Sequence, residues 1–339
     1  MNSLVRISII ASMLNCTVAH SEDGTSPTES PRQYVVTYTT EIQNLPEGAQ
    51  AVDLWFPVPV DTDGQKVTGV EVVHPQGGAM ATEPEYGNTM YHYRFEAPFA
   101  RHLVDGKLGA ELKFEIHRTE IVVAEAKNLT PIQRVSLKTD FNAYLQENRL
   151  IPTDGPIDAL AAELQLEGLP PIHAAKRIYD YLIDTFTYDW QIEGGGEGDV
   201  RWACDAKSGD CSDYHSVFLA LCRNQGIPAD HEFGFPIRTK RPEGRIPSYH
   251  CWARFYVEGI GWIPIDASEA DKHPELRDYN FGSQSVKLLK FTHGRDVMLE
   301  PPQQGPPLNR YVYPYFEVDG KPHDDYRWAV RFKDTTAAE

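Results

Sequence analysis

Basic residues are in short supply in this 339-residue chain: 32 Lys and Arg stand against 49 Asp and Glu, a formal net charge of −17. That balance excludes the electrostatic footprint of a nucleic-acid or anionic-lipid binder. Cysteine is scarce, at five, and no paired C-x-x-C exists; the spacings of Cys204, Cys211 and Cys222 match no common zinc pattern. The acidic runs lack the spaced Asp/Asn-Gly order of a calcium loop. Gly194-Gly195-Gly196-Glu197-Gly198 lacks the lysine and following helix of a phosphate loop and reads as a mobile loop. No metal ion, nucleotide or other cofactor is therefore expected. The apolar run near the start, Ile7 to Leu14, is too short to cross a bilayer.

That run does have the form of a secretory signal over residues 1–19, with Arg6 before it and the small residues of Thr17-Val18-Ala19 after it. Lipid attachment at Cys16 fits less well, because Asn15 is bulky where such a signal wants a small residue. Residues 20–32, rich in Ser, Thr, Glu and Pro, have nothing to bury and are expected to be disordered. The expectation is a periplasmic or secreted protein without an integral membrane segment once the signal is removed. Four cysteines would remain, Cys204, Cys211, Cys222 and Cys251, and an even count in an exported chain invites a disulfide reading.

Residues 33–127 read as strand after strand, Tyr34–Thr39, Ala51–Phe56, Val67–Val73, Met90–Phe95 and Ala110–Ile116, and predict an all-β sandwich-like domain. Pro57 and Pro59 are expected to end the second of these. A helical connector follows over 128–170, with a helix from Ile157 to Leu166. Pro170-Pro171 opens another helix, with Ile172, Ala175, Ile178, Tyr179 and Leu182 on one face. The segment 171–300 reads as the catalytic domain and 301–339 as a C-terminal extension.

Chemistry concentrates at Gly209-Asp210-Cys211-Ser212-Asp213-Tyr214-His215, where a turn and an acid precede a thiol that starts a helix closed by Gly226 and Pro228. A helix N-terminus favours thiolate, the nucleophilic form. Downstream, His250 and Asp266 lie on two strand-like runs joined by a glycine turn. Cys211, His250 and Asp266 thus supply a nucleophile, a base and an orienter. A four-residue hairpin loop would put Asp266 on the sheet face opposite His250, so the triad requires an odd or bulged loop, which Gly259 and Gly261 make easy. His215 competes as base, although it lies a turn further along the helix. Asp213 has a plain reading as a first-turn helix acid, Asp266 as a turn cap, and Cys222 as a buried thiol. The Cys211 amide gives one oxyanion donor; Tyr188, Trp190 and Trp202 are candidates for the second or for the cleft wall. Tyr249, Trp252 and Trp262 are placed to form a water-excluding tunnel or to pack in the core.

The blocks Gly209–His215, Arg223-Asn224-Gln225-Gly226-Ile227-Pro228-Ala229, His250–Tyr256 and Gly261–Ser268 together resemble the bacterial transglutaminase-like domain. The likeness is strongest over Ile172 to Asp266; the tail through Phe281-Gly282, Gly294-Arg295-Asp296 and Pro307-Leu308-Asn309 is similar to an exported branch of that family. The resemblance implies an α+β, papain-like transglutaminase core, a cysteine helix packed on antiparallel sheet, with Cys211 as nucleophile, His250 as base and then acid, and Asp266 as orienter. It implies a protein or peptide substrate attacked through a thioester and leaves the reaction open, the family spanning proteases, amidases and cross-linking enzymes; hydrolysis by a protease or amidase is expected ahead of cross-linking. The alternatives are a catalytically silent binding or scaffold module on the same fold and a structural protein held by disulfides. Asp210 departs from the family pattern by placing a negative charge beside the thiolate. Oligomeric state is left open.

Overall fold

The computed structural model describes residues 29–132, 141–238 and 240–336. The signal expected over 1–19 and most of the tract 20–32 lie outside the described residues. No helix among the described residues is long and apolar enough to cross a membrane.

Alternation of buried and half-exposed residues along Arg32–Ile42 makes it a strand with one dry face, carried by Tyr34, Val36, Tyr38, Thr40 and Ile42. It is the middle strand of a five-stranded antiparallel sheet ordered Glu243–Ile246, Tyr326–Asp334, Arg32–Ile42, Gly109–Arg118, Gln65–His74. A second five-stranded sheet runs Lys321–Pro322, Tyr315–Val318, Ala51–Val58, Thr89–Glu96, Ala79–Thr82. The sandwich is thus completed from the far end of the chain: residues 315–334, read from sequence as an extension, supply three of its strands. Ala51–Val58 is buried on both faces and continues past Pro57 to Val58. Its neighbour Tyr315–Val318 stops opposite Trp55, so the ladder is one-sided where the proline sits.

A four-stranded antiparallel sheet, Gly261–Ile265, His250–Val257, Ala229–Pro236, Leu288–His293, joins the sandwich to the helices. Phe233, Phe235, Leu289 and Phe291 share a core with Tyr38, Leu54, Phe114 and Phe316 of the sandwich, while Ala253, Phe255, Ile263 and Ile265 pack against the helices. The other face carries charge matched by register. Asp230 stands opposite Arg254 and Glu232 opposite Trp252. Arg254 donates to Asp230 at 3.1 and 2.8 Å, Lys290 to Glu232 at 2.5 Å, and Trp252 Nε1 to Glu232 at 2.5 Å.

Helix Pro171–Thr185 buries the face its spacing predicts, with Ala174 added, and leans on helix Cys211–Asn224. That second helix is central rather than buried on one side: every residue from Cys211 to Arg223 is buried. Polar residues on such a helix need partners, and they come from distant segments. Arg295 donates to Ser216 Oγ at 2.8 Å; Arg223 donates to the Ala229 and Gln146 carbonyls and to Asn148.

Candidate active site

Two residues from strand Thr187–Tyr188 pair in parallel with Ser208–Gly209 and deliver the chain to the helix start. Asp210 is the N-cap, accepting from the Ser212 amide at 2.7 Å, and Asp213 reaches back to the Asp210 amide at 2.9 Å. Asp213 is more than a first-turn acid. It also accepts from the amides of Gly196 at 2.7 Å and Gly198 at 2.9 Å. The loop expected to be mobile is therefore anchored, and from the other side too: Arg310 donates to the Gly196 carbonyl, and Arg295 and Asn309 to the Glu197 carbonyl. Local spacing carries no sign of such distant partners.

Gly198 takes φ +66°, and a Cβ there would fall 2.4 Å from Ser216 Oγ and 2.8 Å from the Arg295 guanidinium. Gly198→Ala should cost about 2–3 kcal/mol, combining left-handed strain with displacement of a buried arginine. Urea unfolding checks it, and an unchanged midpoint would mean the loop is not held as described.

The hairpin carrying the other two residues has an odd loop. Val257 stands opposite Gly261 and Ala253 opposite Ile265, leaving the three residues Glu258, Gly259 and Ile260. Gly259 and Gly261 take φ +88° and +109°, where an L side chain is strained. By parity Asp266 falls on the face of His250 and Trp252, and His250 Nε2 donates to Asp266 Oδ2 at 2.6 Å. Asp266 also caps helix Ala267–Lys272 through the Glu269 amide at 2.9 Å and accepts from Ser268 Oγ at 2.9 Å. The helix cap and the partner of His250 are one carboxylate.

Cys211 is 5 % exposed and hydrogen-bonds with Cys251 and His250, which bring its thiol down to about 6 against the opposing effects of burial and the Asp210 charge. Burial alone would lower His250, but the charge and hydrogen bond of Asp266, with the bond to Cys211, raise it to about 10. Burial also works against Asp266, and the His250 imidazolium holds its carboxyl well below the usual range. At neutral pH the arrangement is a thiolate beside an imidazolium beside a carboxylate.

The rival base, His215, is buried with Nε2 accepting from the Ala267 amide at 3.2 Å and Nδ1 3.9 Å from Cys251 Sγ. Burial brings it down to about 4, so it is neutral. Of the oxyanion candidates, Tyr188 lies where the Cys211 charge, after burial, raises its phenol. Trp190 is 71 % exposed, and Trp202 lies against Gly194 and Gly195 of the anchored loop. Tyr249 lies near Cys211, its hydroxyl 2.9 Å from Ser212 Oγ and its ring under Arg310. Trp262 instead packs against Arg254, Tyr256 and Tyr144, and Trp252 is tied to Glu232, so these two do not close a tunnel over Cys211. A cavity of about 560 Å³ backs onto Asp266, with Ile237, Arg238, Trp252, Glu269 and Leu276 in its wall.

The described cysteines, Cys204, Cys211, Cys222 and Cys251, are all free thiols. Two clusters bring ligand-type atoms within 4.8 Å of one another, His215 with His231 and Cys251, and His250 with Asp266 and Glu269. Neither fits a cation. The lone pair of His215 Nε2 is taken by the Ala267 amide and that of His231 Nδ1 by the Arg295 guanidinium at 3.2 Å. In the second cluster, His250 already gives its Nε2 proton to Asp266, and Glu269 accepts from Arg238 and Lys272, each at 2.6 Å.

Residues 158–267 match the family model for the transglutaminase-like superfamily. The chain is 27% identical over 316 residues to an uncharacterized protein of Haemophilus influenzae, covering 83% of this chain and 85% of that one. It shares its fold, at a TM-score of 0.59 and 15% identity, with the crystal structure of a candidate cysteine protease from Cytophaga hutchinsonii, over 92% of this chain and 93% of that one.

Proposed function

From a chain that carries a transglutaminase-like core of papain-like α+β fold, we propose an exported cysteine enzyme that hydrolyses amide bonds of peptides or proteins. The observation that carries this reading is the buried 2.6 Å His250–Asp266 pair beside a thiol brought down to about 6. In the proposed reaction the Cys211 thiolate attacks the amide carbon. The carbonyl electrons move to oxygen, which receives hydrogen bonds from the Cys211 amide and the Tyr188 hydroxyl. His250 then protonates the nitrogen, the C–N bond breaks, and amine leaves a thioester. Now neutral, His250 takes a proton from water as it adds, and the thiolate is expelled with release of the acid. Asp266 keeps the imidazole oriented and stabilises its charge. Water is favoured over an amine as acceptor because Trp252 is tied to Glu232 and Trp262 is stacked on Arg254, so the pair does not form a tunnel over Cys211.

The test is the rate of Cys211 alkylation against pH. In the wild type it should rise with a midpoint near 6, whereas His250→Ala should move the midpoint toward the free-thiol value of about 8.5. Coincident profiles near 8.5 would turn the reading to a silent binding module. Amide hydrolysis, once a substrate is found, should fall again as His250 loses its proton near pH 10.

A further inference from the structure

Cys251 follows the base in sequence, yet nothing in the reaction described above uses it. It is fully buried, and its sulfur lies 3.8 Å from Ser212 Oγ and 3.9 Å from His215 Nδ1. His215 is neutral, and its Nε2 accepts from the Ala267 amide, so its proton sits on Nδ1, on the side of the Cys211 carbonyl and the Cys251 sulfur. His231 brings a ring nitrogen within 4.8 Å of the same sulfur. With Nδ1 accepting from Arg295, its proton is on Nε2, which has no partner among the described residues. The Cys251 sulfur thus faces the Nδ1–H of His215. The acceptors facing it are Ser212 Oγ, which is also bonded to Tyr249, and the sulfur of Cys211, with which it hydrogen-bonds.

We propose that Cys251 is a positioning residue for the nucleophile: its sulfur is held by His215 and Ser212, and its S–H donates to the Cys211 thiolate. The inference rests on Cys211 being the nucleophile of the reaction proposed above. Cys251 is suited to remain the donor because burial first, then its hydrogen bond to Cys211 and the Cys211 charge, keep its own thiol well above the ordinary value. Two sulfurs then divide the labour, one ionised and attacking, the other protonated. The remaining groups facing the pair are fixed by their own partners: Asp210 caps the helix, Tyr249 bonds Ser212, Arg310 holds the Gly196 carbonyl and Arg295 the Glu197 carbonyl. His250 faces Cys211 already charged, and Tyr188 adds a neutral phenol.

The test is the pH profile of Cys211 alkylation by iodoacetamide in the whole chain, mapped by mass spectrometry, in wild type, Cys251→Ala and Cys251→Ser. Alanine removes the donor and should raise the midpoint by about one to two pH units; serine restores a donor and should bring it back to within about half a unit. An alanine profile superimposed on the wild type overturns the proposal. So does a serine profile that matches the alanine one, since packing rather than hydrogen bonding would then be responsible. Should the alanine variant fail to fold, the wild type alone suffices: the infrared difference between free and Cys211-alkylated protein should show loss of a red-shifted S–H stretch. A difference spectrum without an S–H band overturns the assignment. A wild-type midpoint near 8.5 would instead count against Cys211 as an activated nucleophile, so the two failures are separable.

Discussion

Replacing Asp266 by alanine should cost the protein about 3 kcal/mol of folding stability and slow alkylation of Cys211 at pH 6.5 by on the order of tenfold. The carboxylate is buried and serves three partners at once: the His250 imidazolium, the Ser268 hydroxyl and the Glu269 amide that starts a helix. Without it burial works against the His250 charge with only the bond and charge of Cys211 on the other side, so His250 gives up its proton more readily, which is why the loss sits at the low end for a broken buried pair. A neutral His250 no longer supports the thiolate, so the Cys211 midpoint rises. The lower intrinsic nucleophilicity of a low-pKa thiolate offsets part of the gain in thiolate fraction, which limits the rate change. In the wild type Asp266 is held below its ordinary value, so its contribution is complete above about pH 4 and is lost as pH falls through that depressed value. His250 is raised to about 10, so its share is complete below about pH 6.5 and is lost as pH climbs toward 10. Urea unfolding across pH should show both limbs in the wild type and neither in the variant; equal stabilities at pH 5 would rule the ion pair out as described.

A loss of about 3–5 kcal/mol is expected for Arg254→Met, read as a fall in melting temperature of roughly ten degrees. Arg254 neutralises Asp230 and also stands 3.2 Å from Glu232, stacked on Trp262. Methionine keeps much of the bulk but leaves two buried carboxylates with only Lys290 and His293 to balance them. Glu232 is held at about 2, so the stability it carries is present above about pH 4 and goes as pH falls toward 2. A melting temperature within two degrees of wild type at pH 7 would show that the network is solvated in solution.

The parts of this architecture legible from sequence were those written in local periodicity and parity. Period-two alternation located the strands around Tyr34–Thr39 and Ala110–Ile116, and spacing found the buried face of helix Pro171–Thr185. Counting residues between His250 and Asp266 required an odd loop, and the loop has three. Illegible were pairings decided by the far end of the chain. Alternation announces a dry face without naming what covers it, so the contribution of Tyr326–Asp334 to the first sheet was missed. Nothing in local spacing assigns partners to Arg295 and Arg310, whose acceptors are the backbone carbonyls of Glu197 and Gly196. Trp190, an aromatic near the cysteine in sequence, is directed to solvent.

Strand Tyr326–Asp334 lies beside Arg32–Ile42, with Tyr34 opposite Asp334. A chain made from its N-terminus therefore holds the middle strand of a sheet with one neighbour missing until residue 334 has been added. Such distant pairing forms slowly. Arg295, Asn309 and Arg310, which fasten the loop at Gly196 and Glu197 beside the start of the cysteine helix, lie in the approach to that closing segment. Fastening of that loop therefore waits on residues far downstream of Cys211, and a chain stopped before Arg295 would carry Cys211, His250 and Asp266 without these anchors.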